Sequence, residues 1–150
     1  MHAFPHHYTV TAAGATDGDV ELTSDRVAAL RSASPAEFDG PGNRWSPETF
    51  LTAAVADCFI LTFRAIARAS KLPWTSLSCE ATGTLDRVER VTQFTAFELR
   101  ARLVISEGAD VEAARRALEK AERNCLISSS LKAAVHLVPE IEIVAEPVHA

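Results

Sequence analysis

The spacing of apolar and polar positions changes along the chain, and each change marks a predicted element. His7 to Ala13 and Asp19 to Thr23 read as two strands joined at Asp17-Gly18, a dipeptide suited to a tight hairpin turn. Arg26 to Arg31 reads as a third strand. Ser34 to Arg44 carries two prolines and two glycines, which breaks any periodicity and predicts a loop. Ser46-Pro47-Glu48 then opens a helix. The serine hydroxyl can accept a backbone N–H, proline fits the first turn, and the glutamate complements the positive end of the helix dipole. This helix is predicted to run to about Ser70, ahead of Lys71-Leu72-Pro73. Apolar residues surround it on nearly all sides, so it should lie buried between a sheet and another element.

The second half returns to period two. Thr75 to Val88 is strand-like, with Leu77, Cys79, Ala81 and Leu85 on one face. Phe97, Leu99, Ala101, Leu103 and Ile105 then alternate strictly with Glu98, Arg100, Arg102 and Val104. Asp110 is placed to cap a helix through about Glu122, with Val111, Ala114, Leu118 and Ala121 as its buried stripe. Glu112, Glu119, Lys120 and Glu122 belong to its solvated side. Val135 to Ala145 alternates again, and Pro139, which cannot donate to a ladder, favours an edge position. There is no repeat, linker or low-complexity segment, so residues 1–150 read as one α+β domain.

Composition narrows the function classes. A chain of 150 residues with 47% hydrophobic residues can bury a sizeable core. A formal net charge of -5 without a dense basic patch argues against a nucleic-acid partner. The N-terminus Met1-His2-Ala3-Phe4-Pro5 lacks the charge and apolar run of a secretory signal. The longest apolar stretch, Phe50 to Ala67, contains Asp57 and Arg64 and reads as a buried helix, not a membrane span. Together these predict a reducing cytoplasm, in which two of the three cysteines, Cys58 and Cys125, read as catalytic or redox-active and not as a structural staple.

The cysteines lack the C-x-x-C or C-x-x-H spacing of a zinc site. Cys79 lies within a strand pattern and reads as a small strand residue; His2, His6, His7 and His136 receive no role. Cys58 sits inside the apolar helix, where burial alone would raise its pKa and blunt it. A reactive Cys58 therefore calls for a cation nearby, each pKa unit of depression reflecting ~1.4 kcal/mol. Cys125 follows the end of the charged helix, ahead of Ser128, Ser129 and Ser130.

Ser46-Pro47-Glu48, Asp57-Cys58-Phe59 and Asn124-Cys125-Leu126-Ile127-Ser128, with Leu131-Lys132 just beyond, resemble the paired motifs of the OsmC/Ohr family of thiol-dependent hydroperoxide reductases. The order of elements is similar over most of the chain. The resemblance implies an OsmC-like α+β fold, an antiparallel sheet packed on a long buried central helix, in an intertwined homodimer. It implies that Cys58 attacks the peroxide and Cys125 resolves the product to a disulfide, which a thiol or dithiol reductant reopens. No metal or organic cofactor is implied, because sulfur carries the chemistry, and no nucleic-acid or membrane partner.

In the family, a glutamate at the position of Glu48 pairs with an arginine that holds the cysteine as thiolate. Ten helical residues span ~15 Å, so the arginine must bridge Glu48 and Cys58. The family's two arginine positions hold Thr16 and Glu37 here. Arg31 is the chosen replacement, with Arg26 and Arg44 behind it. These substitutions mark a divergent OsmC-like branch. They keep open a second reading, a non-peroxidatic relative that binds a small ligand at the dimer pocket.

Overall fold

A computed structural model describes residues 1–146, and the chain falls into two compact units, Met1–Phe50 and Leu51 onward. The first unit holds a three-stranded antiparallel sheet of β1 (Thr11–Ala13), β2 (Val20–Thr23) and β3 (Leu30–Ser32), in that order. The hairpin at Asp17-Gly18 forms, with Gly18 at a φ of 85° that suits glycine. β1 is shorter than the alternation predicts, because β2 offers partners only to Thr11, Ala12 and Ala13. The third strand starts at Leu30, not Arg26; Arg26 has a φ of 62° and belongs to the turn before it.

The predicted loop is ordered by its own backbone. A single 3-10 turn, Ala36–Phe38, forms inside it, and the N–H groups of Phe38 and Gly40 both donate to the Pro35 carbonyl at 3.0 Å. Gly40 is required by close approach. A Cβ added there would lie 1.6 Å from the Ser34 carbonyl oxygen. Gly40→Ala is therefore expected to cost about 3 kcal/mol or more, since the clash is with backbone and cannot relax by a rotamer change. Urea unfolding followed by fluorescence checks this; an unchanged midpoint would contradict it.

The helix that opens at Pro47 is α1 (Pro47–Ala69). Ser46, buried, caps it reciprocally with Thr49: the Thr49 N–H donates to the serine Oγ at 3.2 Å, and the Ser46 N–H to the threonine Oγ1 at 2.8 Å. Beyond the first turn, α1 buries one stripe at i+4 spacing, Val55, Phe59, Phe63 and Ala67. Leu61, off that stripe, is 51% exposed. By length and composition α1 could cross a membrane, but this stripe lies in a core shared with the sheet and the next helix.

In the second unit, β4 (Ser76–Val88) and β5 (Val91–Ser106) form a long antiparallel hairpin around Glu89 and Arg90, both at positive φ. β5 starts six residues before Phe97, since the hairpin supplies a partner where apolar alternation is weak. From Phe97 to Ile105 every second residue is fully or almost fully buried, as the alternation predicts. Asp110 caps α2 (Val111–Asn124), accepting from the Ala113 N–H at 3.0 Å, and Ala114, Ala117, Leu118 and Ala121 are buried. A four-residue helix, α3 (Leu126–Ser129), follows, and then β6 (Ala134–Val144).

β6 pairs parallel to β5, because a helical crossover returns the chain to the same end of the sheet. The sheet is thus antiparallel at β4–β5 and parallel at β5–β6, with order β4-β5-β6. Pro139 lies on an edge strand, opposite Ala101.

Candidate active site: a cysteine pair at a helix elbow

Cys58 stands one turn before Thr62 on α1, beside the buried stripe through Val55 and Phe59, and is itself half-buried. Its sulfur meets the Thr62 hydroxyl at 3.8 Å. Cys125 is buried and serves two helices at once, as the last cap of α2 and the first cap of α3. Its backbone is extended (φ -65°, ψ 113°), which turns the chain between them.

Local hydrogen bonds set this elbow. The Asn124 side-chain amide donates to the Lys120 carbonyl at 2.8 Å, closing α2. The Ser129 N–H and hydroxyl both donate to the Cys125 carbonyl at 3.0 Å, opening α3. The first N–H groups of a helix have no acceptor inside it, so those of Leu126 and Ile127 are free to point elsewhere. Both lie close enough to Cys58 to draw its thiol pKa down.

The two thiols experience opposite pulls. Burial pushes Cys58 up, but hydrogen bonds outweigh it. They come from the Ile127 backbone, the Cys125 thiol, the Thr62 hydroxyl and the Leu126 backbone, and they hold Cys58 below the ordinary thiol value. Burial pushes Cys125 up; the neighbouring Ser128 opposes that rise, while interaction with Cys58 and the charge there add to it. Of the two thiols, Cys58 is therefore the one that gives up its proton first. Cys79, on β4, is pushed up to about 11 by burial and by the nearby charge of Cys125, which makes it inert at neutral pH.

Cys58 and Cys125 both belong to the second unit and lie close enough for each thiol to shift the other's pKa. Glu48 and Arg31 belong to the first. Glu48 lies in the first turn of α1, and Arg31 lies exposed on β3 opposite Glu21. Of the other arginines considered, Arg44 is ion-paired with Asp19 at 2.9 Å and Arg26 with Asp25 at 3.3 Å. The sequence asks a cation to lower Cys58; within the second unit, the Ile127 backbone, the Cys125 thiol, the Thr62 hydroxyl and the Leu126 backbone draw it down. Thr62, Leu126 and Ile127 are the residues that sequence reasoning passes over. Thr62 had a signal, a hydroxyl four residues after Cys58 on one helix face. The backbone donors had none, since every residue but proline carries an N–H.

Among the described residues, no three His, Cys, Asp or Glu side chains cluster to hold a metal ion. With this geometry in hand, the family model described as "OsmC-like protein" matches residues 40–140. An uncharacterized Bacillus subtilis protein, YmaD, is 31% identical over 112 residues, covering 73% of this chain and 75% of its own length. An OsmC-like protein of unknown function from Vibrio cholerae superimposes with a TM-score of 0.80 at 18% identity, over 93% of this chain and 100% of that one. An organic hydroperoxide resistance protein from Legionella pneumophila superimposes with a TM-score of 0.73 at 24% identity, over 93% and 99%.

Proposed function

The chain belongs to the OsmC-like protein family, and from that premise we propose that it is a cysteine-based peroxidase for organic hydroperoxides or hydrogen peroxide. Some relatives by fold are described as organic hydroperoxide resistance proteins. The observation that carries the reading is the cysteine pair itself: two thiols from separate helices near enough to shift one another, one lowered and the other raised. Two titratable groups pushed apart by their surroundings mark a division of roles.

The Cys58 thiolate attacks the terminal oxygen of ROOH. An S–O bond forms, the O–O bond breaks, and the leaving alkoxide takes a proton to become ROH. Cys58 is now a sulfenic acid. The Cys125 sulfur attacks the Cys58 sulfur and releases water, giving a disulfide. A dithiol reductant restores both thiols by two exchanges and is itself oxidised. Glu48 holds an arginine that orients the peroxide, and Arg31 is assigned that place. The protein works in the cytoplasm as a homodimer, without a metal or organic cofactor. The dimer draws support from α1, whose apolar surface is only partly covered within one chain.

The substitution of both family arginine positions, by Thr16 and Glu37, favours a second reading: an OsmC-like protein that binds a ligand and reduces no peroxide. One experiment separates them. Reduced protein treated with one equivalent of cumene hydroperoxide is expected to lose two thiols per peroxide, and mass mapping is expected to find Cys58 joined to Cys125. Thiols that survive unchanged would leave the ligand-binding reading in place.

A further inference from the structure

Three consecutive serines, Ser128, Ser129 and Ser130, follow the elbow, and their hydroxyls are not equivalent. The Ser129 hydroxyl donates to the Cys125 carbonyl at 3.0 Å, and the Ser130 hydroxyl to the Leu126 carbonyl at 2.7 Å. Each thus bonds the carbonyl four residues back, a common destination for a helical hydroxyl. Ser128 does not. Its Oγ is buried and has no hydrogen-bond partner among the described residues. A buried hydroxyl in that state costs free energy, so the position calls for an acceptor.

The start of α3 supplies one. Cys125 caps this helix, which makes Ser128 its third residue. At that spacing the cap side chain and the third side chain face one another. α1 shows the same relation with oxygen: Ser46 caps it, Thr49 is third, and their hydroxyl oxygens stand 3.2 Å apart. At α3 a sulfur replaces the capping oxygen. A neutral thiol is a weak acceptor, and the Cys125 side chain makes no capping bond. A thiolate is a strong one. Ser128 also opposes the upward push of burial on the Cys125 pKa.

Exposure decides when Cys125 becomes charged. Cys125 is 0% exposed, whereas Cys58 is half-buried. A dithiol in solution therefore reaches the Cys58 side of a Cys58–Cys125 disulfide. Its thiolate bonds to the Cys58 sulfur, the Cys58–Cys125 bond breaks, and the electron pair leaves on Cys125. The second thiol of the reductant then displaces Cys58 as thiolate, and its proton ends on Cys125.

We propose that Ser128 is a positioning residue, whose buried hydroxyl donates to the Cys125 sulfur whenever that sulfur carries negative charge and so speeds the reductive opening of the disulfide. The place of this step in a catalytic cycle rests on the peroxidase reading; the donor itself does not.

The test uses full-length protein oxidised to the disulfide with the diazene diamide, then reduced with excess dithiothreitol at pH 7. Mass analysis after an acid quench follows the reaction. Ser128→Ala is expected to slow reduction about tenfold, the effect of one hydrogen bond to a charged sulfur. Ser128→Thr, which keeps the hydroxyl, should recover the rate to within about threefold, and Ser130→Ala should match wild type within about twofold. In a Cys58→Ser/Cys79→Ala background Cys125 is the sole thiol, and its titration by thiolate absorbance should move upward when Ser128→Ala is added. Wild-type reduction rate in Ser128→Ala, an unmoved titration, a defect that Ser128→Thr leaves in place, or failure of diamide to join Cys58 to Cys125 each overturns the proposal. Diamide closes the bond without peroxide. A protein that shows these effects but ignores cumene hydroperoxide loses the peroxidase reading and keeps this one. Circular dichroism confirms that the variants fold.

Discussion

Replacing Cys58 with serine is expected to lower cumene hydroperoxide turnover by about three orders of magnitude or more, because a serine hydroxyl in the same place does not ionise near neutral pH. Cys79→Ala is the matched control and should leave turnover within about twofold, since that thiol, at about 11, contributes no nucleophile. The same contrast should appear in wild-type alkylation at pH 8: iodoacetamide modifies Cys58 first and Cys79 last. The pH profile has a definite sign. Hydrogen bonds hold Cys58 below the ordinary thiol value, so thiolate and turnover persist to lower pH than for a free cysteine and are lost as the pH falls through its folded pKa. Coupled-enzyme turnover across pH reads both effects. A Cys58→Ser protein with wild-type turnover would remove the nucleophile from the proposal.

Cys125→Ala is expected to stop the cycle after one turnover and to leave Cys58 open to over-oxidation. Two consequences of the geometry combine in this variant. The sulfenic acid loses the thiol that would condense with it, so excess peroxide drives it on to sulfinic acid, seen as two added oxygens by intact mass. Cys58 also loses the neighbouring Cys125 thiol that helps draw it down, so its titration, followed by thiolate absorbance, should move upward. A variant that cycles normally with a thiol reductant, and keeps the wild-type titration, would show that Cys125 neither resolves nor tunes.

What the sequence disclosed was local. The Ser46 and Asp110 caps, the alternation from Phe97 to Ile105 and the edge position of Pro139 follow from chemistry within a few residues, and each is present in the fold. Residues 91–96 escaped, because the long β4 partner makes them a strand without an apolar face of their own. The parallel pairing of β6 escaped for a related reason: direction is set by the crossover, not by the residues that pair. At the site, both cysteines were legible through their motifs. The donors that lower Cys58 were not, because Leu126 and Ile127 act through backbone N–H groups that only the Cys125 elbow aims. Arginines carry their charge in the letter of the sequence, whereas the dipoles of these two aliphatic residues are visible only in the fold.

The elbow also ties redox state to rigidity. Cys58 and Cys125 stand 67 residues apart, on the middle of one helix and the hinge of another pair. A bond between them closes that long loop in the unfolded chain, and chain-entropy arguments assign such a closure about 4 kcal/mol. In the proposed cycle the oxidised protein is thus the more heat-resistant form, and reduction loosens it. By thermodynamic reciprocity the same free energy resists the reductant, which must undo a cross-link that the native fold favours. Melting temperature then becomes a gauge of how far the cycle has run, readable without any substrate present.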